Sequence, residues 1–203
     1  MNNISLEDIN LIQQSKTFEF LSNDGIDSSN IASSIRTFNT DSQNNLKGEA
    51  WDKVRAKYSK YDDALTKHSL IATTLSQTIQ STLSELQNAM AGYDSIDLSK
   101  LEDLRAQRKS CESKIENINS MMNKKQFSFK SFSFEPVYDN ATLQKNLNTE
   151  SQVLNELDKI IKQMENIKAI CDKAEAKLNE LLNEMITIEK GIEEITPSVA
   201  VAV

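Results

Sequence analysis

His68, Cys111 and Cys171 are the side chains best suited to acid–base, nucleophilic or metal chemistry, and they lie far apart in the sequence. An imidazole works as a catalytic base only beside a nucleophile and an orienting acid. Val54, Tyr61 and Leu75 share a helical seam with His68 and supply neither, so a buried imidazole with a hydrogen-bond partner is expected. A zinc site needs more ligands than this trio brings together. Two cysteines are too few for a disulfide scaffold, and both fall at apolar seam positions, where small buried fillers are expected. If the chain folds antiparallel about residue 131, Cys111 comes level with residue 151. Cys171 then lies about 30 Å further along, out of disulfide reach. The sequence has no glycine-rich phosphate loop and no nucleophile elbow. No catalytic residue, cofactor or metal is therefore expected.

The elements that carry these residues follow from composition. Only 4 Gly and 2 Pro occur in 203 residues, which favours long helices over a turn-rich sheet fold. Lys and Arg number 23 against 30 Asp and Glu, a formal charge of −7, so nucleic acid is not an expected partner. The start, Met1-Asn2-Asn3-Ile4, has neither a basic region nor an apolar run, so a cleaved secretory signal is not expected. No stretch approaches the roughly 20 apolar residues of a membrane span. Residues 197–203 read as a flexible tail or linker stub.

Apolar residues at Leu6, Ile9, Ile12, Phe18 and Leu21 share one helical face. Residues 22–25 read as a break, or as an irregular turn within a longer helix. The spacing resumes at Ile31, Ile35 and Phe38, and the polar run 39–45 reads as a helix end and turn. Trp51, Tyr58, Leu65, Ala72, Ile79 and Leu86 then form a heptad seam, predicting a helix over 49–91 about 65 Å long. Leu101, Leu104, Cys111, Ile115, Ile118 and Met122 predict a third helix over 97–123, with the Arg108 stem covering apolar surface. A last helix over 141–195 carries the most regular seams. Leu157, Met164, Cys171, Leu178, Met185 and Ile192 form one; Val153, Ile160, Ile167, Ala174, Leu181, Ile188 and Ile195 form the other. Such seams are insoluble unless covered. The expected fold is therefore all-α: an elongated antiparallel helical hairpin or coiled-coil bundle.

Residues 126–136 differ in kind. Phe127 and Phe129, then Phe132 and Phe134, alternate with polar residues around Lys130-Ser131, which predicts a small β-hairpin at one tip. Four of the seven Phe gather here, either as a plug on the helix ends, the favoured reading, or as an exposed contact patch.

Leu46-Lys47-Gly48, followed by Glu49-Ala50-Trp51, separates the first two helical regions. Gly48 provides a turn or a close backbone approach, while Leu46 and Trp51 can pin crossing helices, Trp51 either as a core anchor with some partner contact or as a partner-facing hot spot. Lys53, Arg55, Lys57 and Lys60 read as a solvated basic face that could also steer an acidic partner. The Leu46-Lys47-Gly48 motif, placed within the first fifty residues, followed by Glu49-Ala50-Trp51 and flanked by long helices, resembles the LXG domain of type VII secretion substrates, mainly toxins of Gram-positive bacteria. That domain is related to the small WXG100 helical proteins; Leu46 stands at the motif's Trp position and Gly48 at its Gly position.

The resemblance implies three parts: a WXG100-like hairpin over 1–92, a helical stalk over 93–196 and the tail 197–203. It also implies a non-catalytic targeting module whose toxic activity would lie in a C-terminal domain outside this chain. The module would bind small helical WXG100-like partners. It would reach the secretion system's membrane ATPase from a cytoplasmic complex, then be secreted. The expected partner surface is Ile31, Ile35, Phe38, Val54, Tyr58, Tyr61 and Leu65. Seam regularity alone fits a second class equally well, a structural coiled-coil that self-assembles, for instance as a homodimer. A third class, a membrane-active helical toxin, is disfavoured by the polar loops.

Overall fold

The computed structural model describes residues 3–15 and 17–195, excepting the side chains of Thr17, Phe18 and Phe20. The expected tail at 197–203, the stop at Pro197 and the seam position Phe18 lie outside the described residues. The chain is all-α apart from two small antiparallel strand pairs. In order, the elements are β1 (Asn3–Ser5), α1 (Leu6–Gln14), α2 (Thr17–Asn45), α3 (Glu49–Ala89), β2 (Ser95–Asp97), a 3-10 turn (Leu98–Lys100), α4 (Leu101–Met122), β3 (Lys125–Ser128), β4 (Ser133–Pro136) and α5 (Asn140–Ile195).

Two compact units divide these elements. One combines the chain up to Leu6 with Ala89–Ala169; the other combines Glu7–Asn88 with the chain from Ile170. One boundary falls between Asn88 and Ala89, close to the expected 92, and the second unit also takes nearly half of α5, from Ile170 on, together with the N-terminal helices.

In the first unit, α4 lies antiparallel to α5. Arg105 pairs with Glu165, Arg108 with Asp158 and Lys114 with Glu150, so partners move up α5 as the chain moves back along α4. Beneath these pairs lie Leu101, Cys111, Ile118, Leu143, Leu157, Ile161, Met164 and Ile167, all buried. Ile161 belongs to neither expected seam. Val153 belongs to one but is 45% exposed. Asp139 caps α5, accepting from the Ala141 and Thr142 amides and the Thr142 hydroxyl. Those donors hold its carboxyl below the usual carboxylate range, with the Thr142 hydroxyl contributing most. The β1–β2 pair, with Ile4 opposite Ile96, was not anticipated: three-residue strands carry no readable period.

In the second unit, Ile71, Leu75 and Leu181 form a buried cluster, with Leu21, Ile79, Leu178, Met185 and Ile188 packed around it. Gln87 of α3 holds α1 by donating to the side-chain oxygens of Asn10 and Gln13, each at 2.9 Å. The expected break at residues 22–25 is a continuous stretch of α2. A Cβ placed on Gly25 would stand 3.2 Å from the Ser69 carbonyl oxygen and 3.2 Å from Thr73 Oγ1. Gly25 therefore serves close helix crossing rather than a break in the helix. The expected helix end over 39–45 is also helical, and α2 runs to Asn45.

Candidate functional site

The turn between α2 and α3 is built by the motif residues. Gly48 has φ +113° and nothing within 4 Å of where a Cβ would stand. Of its two expected roles, the turn is the one it fills. Arg55 then satisfies the end of α2: its guanidinium donates to the Leu46 carbonyl at 2.9 Å and the Ser42 carbonyl at 3.2 Å. Arg55 thus works within the fold rather than on a steering face, and the basic cluster hides that role because its spacing looks like a solvated stripe. Lys53 pairs with Glu49 in the first turn of α3. Trp51 is 38% exposed, so the ring is partly solvated rather than sealed in a core.

Next to this turn, α2 and α3 diverge around an apolar groove of about 540 Å³. Its walls are Ile31 and Ile35 from α2, and Val54, Lys57, Tyr58, Tyr61 and Leu65 from α3, with Ile192 of α5 closing one side. A neighbouring depression of about 360 Å³ shares Ile31, Ile35 and Tyr58 and adds Phe38. Phe38 and Tyr58 meet edge to face, with centroids 5.2 Å apart. Ile31 is 52% exposed, Tyr58 41% and Phe38 37%. Six of the seven residues expected at a partner surface line the groove, and the seventh, Phe38, lines the neighbouring depression. The sequence reading missed Lys57 and Ile192 as wall residues. Ile192 had a signal, since it closes a regular seam on α5, but its position opposite α3 is a tertiary matter. Arg36 bonds Asp62 at 2.8 Å and fixes α2 against α3 at this level.

His68 is buried, as expected, and a 3.0 Å hydrogen bond joins its Nδ1 to Ser28 Oγ. Its surroundings are less apolar than the seam suggested. Asp24 and Glu189 each place a carboxylate oxygen 3.7 Å from Nε2. Asp24 and Ser28 lie one helical turn apart on α2, a spacing that could have flagged them, but not their register with His68. Hydroxyl, imidazole and carboxylates therefore do meet. Ser28 is only 6% exposed, however, which denies a substrate carbonyl the approach a nucleophile requires. What the cluster does is join α2, α3 and α5 through polar contacts.

Cys111 Sγ shares its proton between the Glu150 backbone carbonyl at 3.1 Å and the Glu150 carboxylate at 3.3 Å. Burial, reinforced by that carboxylate, pushes the thiol's pKa up. Neither Cys111 nor Cys171 is in a disulfide. Among the described residues, no cluster of three or more His, Cys, Asp or Glu is arranged to hold a metal ion. Nor is any described helix long and apolar enough to cross a membrane.

The expected plug at the β3–β4 hairpin is corrected. Phe127 is 39% exposed, Phe134 69%, Phe129 81% and Phe132 82%. The rings pack on one another instead of on helix ends, with Phe127 at the centre, 5.3 Å from Phe129, 6.3 Å from Phe132 and 5.4 Å from Phe134.

Comparisons with protein-family models, with curated proteins and with solved structures each returned no match.

Proposed function

We propose that this chain is a non-catalytic docking module that receives an amphipathic helix of a small helical partner in the α2–α3 groove. The groove itself carries the reading. Large apolar side chains stay half exposed along a concavity between two helices, a shape and chemistry suited to a third helix. Lys57 at the wall suits a partner with acidic residues flanking its apolar face. Combined with the Leu46–Gly48 turn, this supports the LXG-type interpretation. In that interpretation the module escorts a type VII secretion substrate: it gathers WXG100-like partners in the cytoplasm, presents the complex to the secretion system's membrane ATPase and is exported.

Coexpression with small helical proteins encoded beside this chain, followed by measurement of assembled mass, tests the reading. A stable complex that Ile35→Asp disrupts, with helicity preserved, is expected. Failure to assemble at high concentration with every such neighbour would overturn it. A mass equal to two copies of this chain alone would instead favour the self-assembling coiled-coil, with the groove covered by a second copy.

A further inference from the structure

We infer that the β3–β4 hairpin is a peripheral docking tip for anionic lipid surfaces, inserting Phe129 and Phe132 at the level of the headgroups. The inference is independent of the helical-partner reading, because it concerns the other compact unit. Three observations carry it.

The rings protrude. Phe129 and Phe132 are 81% and 82% exposed, and Phe134 is 69% exposed. They form a preassembled edge-to-face cluster on a hydrogen-bonded hairpin, in which Phe127 and Phe134 stand directly opposite. Little ordering is left to do on binding. A convex aromatic tip finds limited contact on a rigid protein face, whereas a bilayer interface deforms around it.

The charge around the rings opposes that of the chain. Residues 124–138 contain Lys124, Lys125 and Lys130 against the single carboxylate Glu135, while the whole chain carries −7. All three lysines are exposed, and Glu135 is engaged by the Ser131 hydroxyl. Exposed aromatics ringed by lysines match an anionic headgroup layer over an acyl boundary. A second copy docking tip to tip would instead bring two Lys130 side chains together.

The backbone holds a ring outward at a conformational cost. Phe132 has φ +48°, the left-handed region that glycine fills without strain. A bulky aromatic there suits a position where the side chain, rather than the turn, is needed.

Co-sedimentation of the full chain with vesicles tests this. Phosphatidylcholine vesicles are compared with vesicles that also contain phosphatidylglycerol. The wild type is expected to bind the mixed vesicles, with little binding to neutral ones, and to leave an entrapped dye inside. Phe129→Ser with Phe132→Ser should lower partitioning roughly 100-fold, with the circular dichroism spectrum unchanged. Each lysine changed to glutamine should weaken binding about fivefold. Phe129→Trp in a Trp51→Phe background should show a blue-shifted emission on mixed vesicles only. No binding to mixed vesicles, binding indifferent to the two Phe substitutions, or release of the dye would each overturn the inference. The first result would leave the patch as a protein contact, and the last would point to bilayer disruption.

Discussion

Cys111 of α4 donates its thiol proton to Glu150 of α5, reaching both the backbone carbonyl and the carboxylate, at 3.1 Å and 3.3 Å. This contact fixes the antiparallel register of the two helices within one residue of the level read from the hairpin tip. It also couples two titrations of opposite sign. The thiol's donation, together with Lys114, holds the Glu150 carboxyl below the usual range, while burial pushes Cys111 up.

The pH dependence of stability follows. A carboxyl with a lowered folded pKa contributes stability present above its unfolded value, about 4.3, and lost as pH falls through the folded value. A thiol with a raised folded pKa contributes stability present below its unfolded value, about 8.5, and lost as pH rises through the folded value. Thermal melts should therefore show Tm falling on both the acid and the alkaline side. Cys111→Ala should weaken both the alkaline and the acid fall. An alkaline limb identical in the variant would exclude this pair as its source.

Gly48→Val should destabilise the α2–α3 hairpin by about 1–3 kcal/mol, because φ +113° is strained for any side chain. Nothing lies within 4 Å of the added Cβ, so the cost is conformational rather than a clash. Urea denaturation measures it; a midpoint equal to wild type would mean the turn relaxes freely.

Gly25→Leu should cost more than substitution at an open helical glycine such as Gly191, whose Cβ site meets nothing within 4 Å. At Gly25 the new side chain meets the Ser69 carbonyl and Thr73 on α3, and overpacking of this kind costs about 1–3 kcal/mol. At Gly191 the same change should be stabilising, by roughly 1 kcal/mol of helix propensity. Equal effects at the two sites would deny the close crossing.

Ile167→Ala should destabilise by about 2–5 kcal/mol, since Ile167 is 0% exposed. Val153→Ala removes a residue from the same heptad position that is 45% exposed, and should cost about 0.5 kcal/mol or less. Chemical denaturation of both variants compares them directly. Similar losses would mean that the seam, rather than burial, sets the energetics of α5.

Tyr58→Asp should weaken capture of a helical partner by roughly 100-fold, as expected for an aromatic at the centre of an interface. The ring is 41% exposed and meets Phe38 edge to face, so folding stability should fall by about 0.5–1.5 kcal/mol with that contact. Calorimetric titration with an assembling partner reads the first effect and a thermal melt the second. Undiminished affinity would move the docking surface away from the groove.

Sequence periodicity identified the helices because burying an apolar stripe requires the 3.6-residue repeat to be written into the chain. It also placed the Phe hairpin through its period of two. Residues 22–25 read as a break or as an irregular turn within a longer helix, and the helix runs straight through them, because the missing side chain of Gly25 serves a neighbouring helix. The six expected residues of the groove, and Phe38 in the depression beside it, could be named from their stripes on two adjacent helices. Ser28, Asp24 and Glu189 around His68 could not, because they come from separate stretches of sequence.

The sequence by itself determined that this protein is helical, where its long stripes run and that a glycine turn joins the first two long helices, since these depend on local conformational energies. Only the tertiary structure decided which parts of each stripe are covered. Val153 and Ile167 occupy equivalent heptad positions, yet one is solvated and the other sealed. The same distinction leaves Ile31 and Tyr58 open in a groove and Phe129 and Phe132 bare at a hairpin turn. Coverage depends on where a neighbouring element begins, ends and diverges, and a repeat along one helix does not encode that.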